Sequence, residues 1–73
     1  MHGRTIAQAR SVNGRHSRRL LKLPDVVGHG VGVDASGRAV IEVYVAGAAA
    51  TALPQALEGI PVRRVVTGRF EAY

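Results

Sequence analysis

The residues best suited to chemistry cluster in one run, VVGHGVGVDASGR, spanning Val26 to Arg38. Glycines at 28, 30 and 32 let backbone N–H groups approach an anion, as a phosphate cradle does. Such a cradle also needs a strand that enters the glycine loop and leaves directly into a helix whose N-terminus faces the anion. This run leads instead into a hairpin, so its glycines read as clearing one face of a strand for close packing. A serine nucleophile needs an activating base and an oxyanion hole. His29 and Asp34 are at hand, but no glycine-rich turn surrounds Ser11, Ser17 or Ser36, and Asp34 reads as a turn residue. The expectation is therefore no enzyme and no catalytic residue. His2, His16 and His29 show no paired spacing and the chain has no cysteine, so neither a metal nor a cofactor is expected. His29 stands in an apolar row; buried and unpartnered, it would make the domain sensitive to acid.

The second chemical feature is charge. Met1 to Lys22 carries Arg4, Arg10, Arg15, Arg18, Arg19 and Lys22 with no carboxylate, and the formal net charge of +5 comes from this arm. Arg10, Arg15, Arg18, Arg19 and Lys22 form a candidate basic patch that suits phosphates or an acidic protein surface. Tyr44, Phe70 and Tyr73 are the only aromatics, a poor supply of stacking platforms for single-stranded nucleic acid.

Three kinds of element must position these residues. Helical spacing places Ile6, Ala9, Asn13, His16, Leu20 and Leu23 on one stripe, with Val12 beside it. Asn13-Gly14 invites a break with Ser11 or Asn13 as cap, so residues 1–14 are expected to fray as a basic arm, and Pro24 ends the segment. Next comes a hairpin. Val27, His29, Val31 and Val33 alternate with Val26, Gly28, Gly30 and Gly32, the turn lies at Asp34 to Gly37, and from Ala39 the alternation resumes. Ile41, Val43 and Val45 then share one face, and Val40, Glu42 and Tyr44 the other. A short second helix is expected from Ala49 or Thr51 to Leu57, stopped by Gly59. A last strand covers Ile60 to Thr67, where Pro61 and the Arg63-Arg64 pair point to a sheet edge or a bulge.

The order α-β-β-α-β predicts one α+β domain over residues 1–73. A right-handed crossover would bring the last strand beside the first and parallel to the middle one. The result is a three-stranded sheet in the order 2-1-3, a split β-α-β layer with two helices on one face. The expected core is Val27, Val31, Val33, Ile41, Val43, Val45, Leu20, Leu23, Leu57, Ile60 and Val62. The face left open would carry Gly28, Gly30, Gly32, Val40, Glu42 and Tyr44, the candidate interaction face.

The run LLKLPDVVGHGVGVDASGRAVIEVYV followed by LPQALEGIPVRRVVTGRF resembles the short domain that precedes the chymotrypsin-like catalytic domain in a group of bacterial trypsin-like serine peptidases. There a helix ending in Leu-Pro leads into V-x-G-x-G-x-G, a hairpin, a Leu-Pro step and Leu-x-Gly-x-Pro-Val. The ordered motifs cover Arg15 to Phe70. The resemblance implies a non-catalytic N-terminal module that packs on, assists, restrains or targets a peptidase.

Size points the same way. A chain of 73 residues buries only about 60% of the surface it exposes when unfolded, so a partner adds stability. The partners expected are a peptidase domain or a second copy in a homo-oligomer; the alternative is nucleic acid bound through the basic arm. No apolar run approaches the roughly 20 residues of a membrane span, and no apolar signal segment opens the chain, so the expected location is the cytoplasm.

Overall fold

A computed structural model describes residues 5–46 and 53–67. Helix α1 spans Ile6–Arg15 and α2 spans Ser17–Leu21. Strand β1 is Val26–Val33, β2 Ala39–Val45, β3 Ala56–Leu57 and β4 Ile60–Val66. The strands form one mixed sheet in the order β1-β2-β4-β3.

The first helix starts earlier than its glycine suggests. Thr5 caps it: its Oγ1 accepts the Gln8 N–H at 3.1 Å, and Gln8 Oε1 accepts the Thr5 N–H at 2.9 Å, a reciprocal pair that satisfies two otherwise orphaned donors. The cap is therefore Thr5 and not Ser11 or Asn13. The helix runs through Asn13-Gly14 and breaks at His16, which ends α1 and begins α2. The anticipated stripe faces inward from Ala9 onward, while Ile6 at its start is exposed. Ala9, Val12 and Leu20 are buried, and they pack with Ile41, Val43 and Val45 of β2 on one side of the sheet.

The hairpin forms where alternation placed it. Asp34 Oδ1 accepts the Ser36 and Arg38 N–H groups, both at 2.9 Å, and the Ser36 hydroxyl at 2.8 Å. Gly37 closes the turn at φ 82°, a conformation in which a Cβ would be strained. β1 and β2 pair antiparallel from Val33↔Ala39 to Gly28↔Tyr44.

Five expectations are corrected. Among the described residues the sheet has four strands, not three. The glycine-bearing strand is at the edge and β2 is inside, so the order 2-1-3 does not hold; β4 does run parallel to β2, but pairs with β2 itself from Ile41↔Val62 to Val45↔Val66. No helix covers 53–57: Ala56 and Leu57 form β3, which turns through Glu58-Gly59 and pairs with Pro61 and Ile60, while 49–52 lie outside the described residues. Val27 is 51% exposed, because a bulge between Val26 and Gly28 puts Val26 opposite the buried Val45 in its place. Val33, at the strand's end, is 49% exposed. Leu20, Ile41, Val43, Val45, Leu57 and Ile60 are buried as anticipated, joined by Ala9, Val12, Ala39 and Val40.

α1 lies over β1 and β2, and α2 over β1, on the face that carries His29, Val31, Ile41 and Val43. Among the described residues no helix is long and apolar enough to cross a membrane.

Candidate functional site

The face away from the helices follows from the pairing. Gly28, Gly30 and Gly32 of β1 stand opposite Tyr44, Glu42 and Val40 of β2, and Glu42 and Tyr44 stand opposite Arg63 and Val65 of β4. The bare stripe is filled by the chain's own side chains. A Cβ on Gly28 would lie 3.6 Å from the Tyr44 ring, and one on Gly30 3.6 Å from its hydroxyl oxygen. The Tyr44 hydroxyl donates to Glu42 Oε1 at 2.8 Å, and the Arg63 guanidinium pairs with Glu42 Oε2. Arg63 also donates to the Val33 carbonyl at 3.2 Å, so one side chain ties β4 to β1 over the intervening β2. The hydrogen bond from Arg63, followed by that from Tyr44, holds the Glu42 carboxyl below the usual carboxylate range. Glu42 in turn raises the Tyr44 hydroxyl.

The free edge of β1 is the second feature. Asp34 donates its N–H to the Arg38 carbonyl at 2.9 Å, which fixes the parity of the ladder. Gly32, Gly30 and Gly28 therefore turn their backbone groups toward β2, while Val33, Val31 and His29 turn theirs outward, the Val33 carbonyl being already engaged by Arg63. Among the described residues β2 is the only strand beside β1. This eight-residue edge carries no proline and no Asp, Glu, Lys or Arg. The outer side of β4 is different. Past its pairing with β3 it presents Arg63 and Arg64, the charged kind of edge that discourages strand addition.

A third cluster brings together residues that sequence reasoning kept apart. His29 Nδ1 lies 2.6 Å from Asn13 Oδ1, and His29 Nε2 lies 3.0 Å from Ser17 Oγ. Since an amide oxygen only accepts, Nδ1 carries the proton and Nε2 is free to accept the Ser17 hydroxyl. The arrangement has the hydrogen bonds of a serine, a base and an orienting amide. The open groove of about 300 Å³ lies elsewhere, lined by Gln8, Ser11, Val12, Arg15, Glu58 and Ile60. Ser17 does not border it. The cluster instead fastens the helical layer to β1: Asn13 and Ser17, four apart, straddle a break and both reach the strand. The premise of an unpartnered His29 does not hold, because both ring nitrogens are engaged. The signal was in the sequence, a polar position inside an apolar helical stripe matched by one polar position in an apolar strand row.

The basic patch divides. Arg15 Nη2 pairs with Glu58 Oε1 at 2.9 Å and His16 Nε2 with Glu58 Oε2 at 3.0 Å, contacts that lower the Glu58 carboxyl, Arg15 first. Glu58 holds this position at φ 49°. Arg10, Arg18, Arg19 and Lys22 are exposed and enter no ion pair among the described residues. Among the described residues no three His, Cys, Asp or Glu side chains are placed to hold a metal ion.

No family model, curated protein or solved structure matches this chain. The resemblance to the domains that precede trypsin-like peptidases therefore rests on its ordered motifs alone.

Proposed function

We propose that this chain is a non-catalytic protein-interaction module that accepts an extended segment of a partner as an added strand on β1. The observation that carries the reading is the outward row of backbone groups on β1, an uncharged strand at the end of its sheet. Strand addition takes its affinity from main-chain hydrogen bonds and its selectivity from the side chains beside them. The pairing of Tyr44, Glu42 and Arg63 supports this, because it ties β1 to the two strands behind it. The ordered motifs shared with peptidase-preceding domains make a peptidase domain the natural source of that segment.

Amide hydrogen exchange on the free protein and on the protein mixed with an extended peptide tests the reading. The amides of His29, Val31 and Val33 should exchange fast alone and slowly in the mixture, while those of Gly28, Gly30 and Gly32 are slow in both. Val33→Pro, which removes one outward donor at an exposed position, should weaken binding with circular dichroism unchanged. Equal protection of odd and even amides in the free protein would dismiss the edge as a docking site.

A second reading has one observation in its favour, the exposed cations Arg10, Arg18, Arg19 and Lys22, which lie outside every ion pair among the described residues. They suit phosphates, and binding would be salt-dependent and indifferent to sequence. Titration of labelled duplex and single strands at low salt decides it: absence of binding there ends this alternative.

A further inference from the structure

We infer that the segment which completes the sheet at β1 is acidic, and that it is not a second copy of this chain. The inference rests on the reading of β1 as a docking edge and names the chemistry of its occupant.

The helical layer covers one face of β1. α2 packs on β1, the outermost strand, while α1 spans β1 and β2, so α2 is the element nearest any strand that joins. Thr5 to Lys22 contains no carboxylate. Arg18, Arg19 and Lys22 of this segment are exposed and outside every ion pair among the described residues. No carboxylate among the described residues pairs with them, Asp25 and Asp34 at the two ends of β1 included. β1 has no acidic residue, and Glu42 is engaged by Arg63 and Tyr44 on the opposite face.

An added strand lies about 4.8 Å beyond β1, with every second side chain on the helix side. Carboxylates there fall within one Debye length, about 8–10 Å at ordinary salt, of the α2 cations. A second copy would do the reverse. Antiparallel pairing of β1 with its own duplicate needs a two-fold axis normal to the sheet, which puts both helical layers on the same side. The cations of both α2 helices would then meet between two bodies each of formal charge +5. The surplus charge thus selects an acidic partner and rejects self-pairing at the same edge. Nucleic acid satisfies the cations but offers no peptide N–H or C=O to the outward row of β1.

The test uses the full chain and three labelled ten-residue peptides of alternating Val and Thr, in which alternate Thr positions are replaced by Glu, Gln or Lys. At low ionic strength the Glu peptide should bind about tenfold more tightly than the Gln peptide, the weight of two or three exposed ion pairs. The difference should vanish by roughly 0.5 M salt, where the Debye length is only a few Å. Arg18→Glu combined with Arg19→Glu, both at exposed positions, should reverse the preference toward the Lys peptide, with circular dichroism confirming that the fold is kept. Equal binding of the Glu and Gln peptides with protection of the His29 and Val31 amides would overturn the acidic occupant and leave the docking edge standing. A dimer at low salt with those amides protected would overturn it in favour of a second copy. Failure of all three peptides to bind or protect would remove the docking edge itself. Binding of an oligonucleotide that excludes the Glu peptide without protecting those amides would overturn both in favour of nucleic acid.

Discussion

The hydroxyl of Tyr44 donates to Glu42 Oε1 at 2.8 Å while its ring lies against Gly28 and Gly30. The two residues are two apart on β2, so the pleat sends both to the same face. The glycine row opposite gives the ring and the Arg63–Glu42 pair room to lie flat.

The three glycines should therefore respond differently to alanine. A Cβ at Gly30 would meet Tyr44 at 3.6 Å, an ordinary contact, whereas at Gly32 it would fall 2.7 Å from the Glu42 carboxylate and 3.1 Å from the Arg63 guanidinium. Gly30→Ala should be neutral or stabilising by about 0.5 kcal/mol, because it restricts the unfolded chain. Gly32→Ala displaces the carboxylate from its donors and should cost about 1 kcal/mol. Urea unfolding of Gly28→Ala, Gly30→Ala and Gly32→Ala measures the order; equal losses at all three would contradict the packing described.

Acid should loosen the fold through the same pair. Glu42 is depressed by Arg63 first and Tyr44 second, and Asp34 by the Arg38 N–H first and the Ser36 hydroxyl second. A depressed carboxyl binds its proton more weakly in the folded state, so its contribution is complete above the unfolded value of about 4 and is lost as pH falls through the folded one. Tyr44 has the opposite sign: its raised hydroxyl contributes fully below about 10, and that contribution is lost as pH rises through the folded value. The melting temperature should be level between about pH 5 and 8 and drop below about pH 4. Glu42→Gln should lower it at neutral pH and make the acid decline shallower. An unchanged acid decline in that variant would assign the effect elsewhere.

The His29 cluster predicts coupling between helix and strand. Asn13→Ala leaves the half-buried Nδ1–H without its acceptor and should cost about 1 kcal/mol. A cycle with His29→Leu should show a coupling of at least 0.5 kcal/mol or so, since the two side chains act on one hydrogen bond. Additive losses would mean the pair does not hold the layers together. Ser17 should stay unlabelled by a fluorophosphonate probe; rapid labelling, abolished by His29→Leu, would turn this fastening into a reactive centre.

What was legible in the sequence was local. Alternation from Val26 to Val45 with turn chemistry at Asp34 to Gly37 specified the hairpin, and the spacing of Ala9, Val12 and Leu20 specified the inner face of the helices. Long-range pairing was not. β4 chooses β2 over β1 through contacts such as Ile41↔Val62, which no periodicity encodes. The bulge at Val27 exchanged two valines of identical chemistry, so composition could not reveal it. The β3–β4 hairpin was hidden because its two-residue turn, Glu58-Gly59, has glutamate where Asn or Asp is the usual sign. The Asn13, His29 and Ser17 cluster was visible only once helix and strand were stacked, although each polar residue already interrupted an apolar row.

Asp25 offers a stability test that leaves every named contact in place. It sits at φ 64° behind Pro24, and Val26 donates its N–H to the Leu23 carbonyl at 3.3 Å. Proline at the second position and a positive φ at the third make this a type II turn, which favours glycine where Asp25 stands. The turn matters because the Asp25 carbonyl accepts the Ala46 N–H at 2.9 Å and so fixes the start of β1 against the end of β2. Glycine keeps that carbonyl and removes the clash of Cβ with the backbone, a strain of about 1 kcal/mol. For a domain of this size the gain should raise the melting temperature by about 4–8 °C. Alanine lacks the short polar side chain that eases this conformation, so the order should be glycine, then the native aspartate, then alanine. Calorimetry of Asp25→Gly and Asp25→Ala gives the answer: an alanine variant as stable as the glycine one would mean the turn is not held at positive φ.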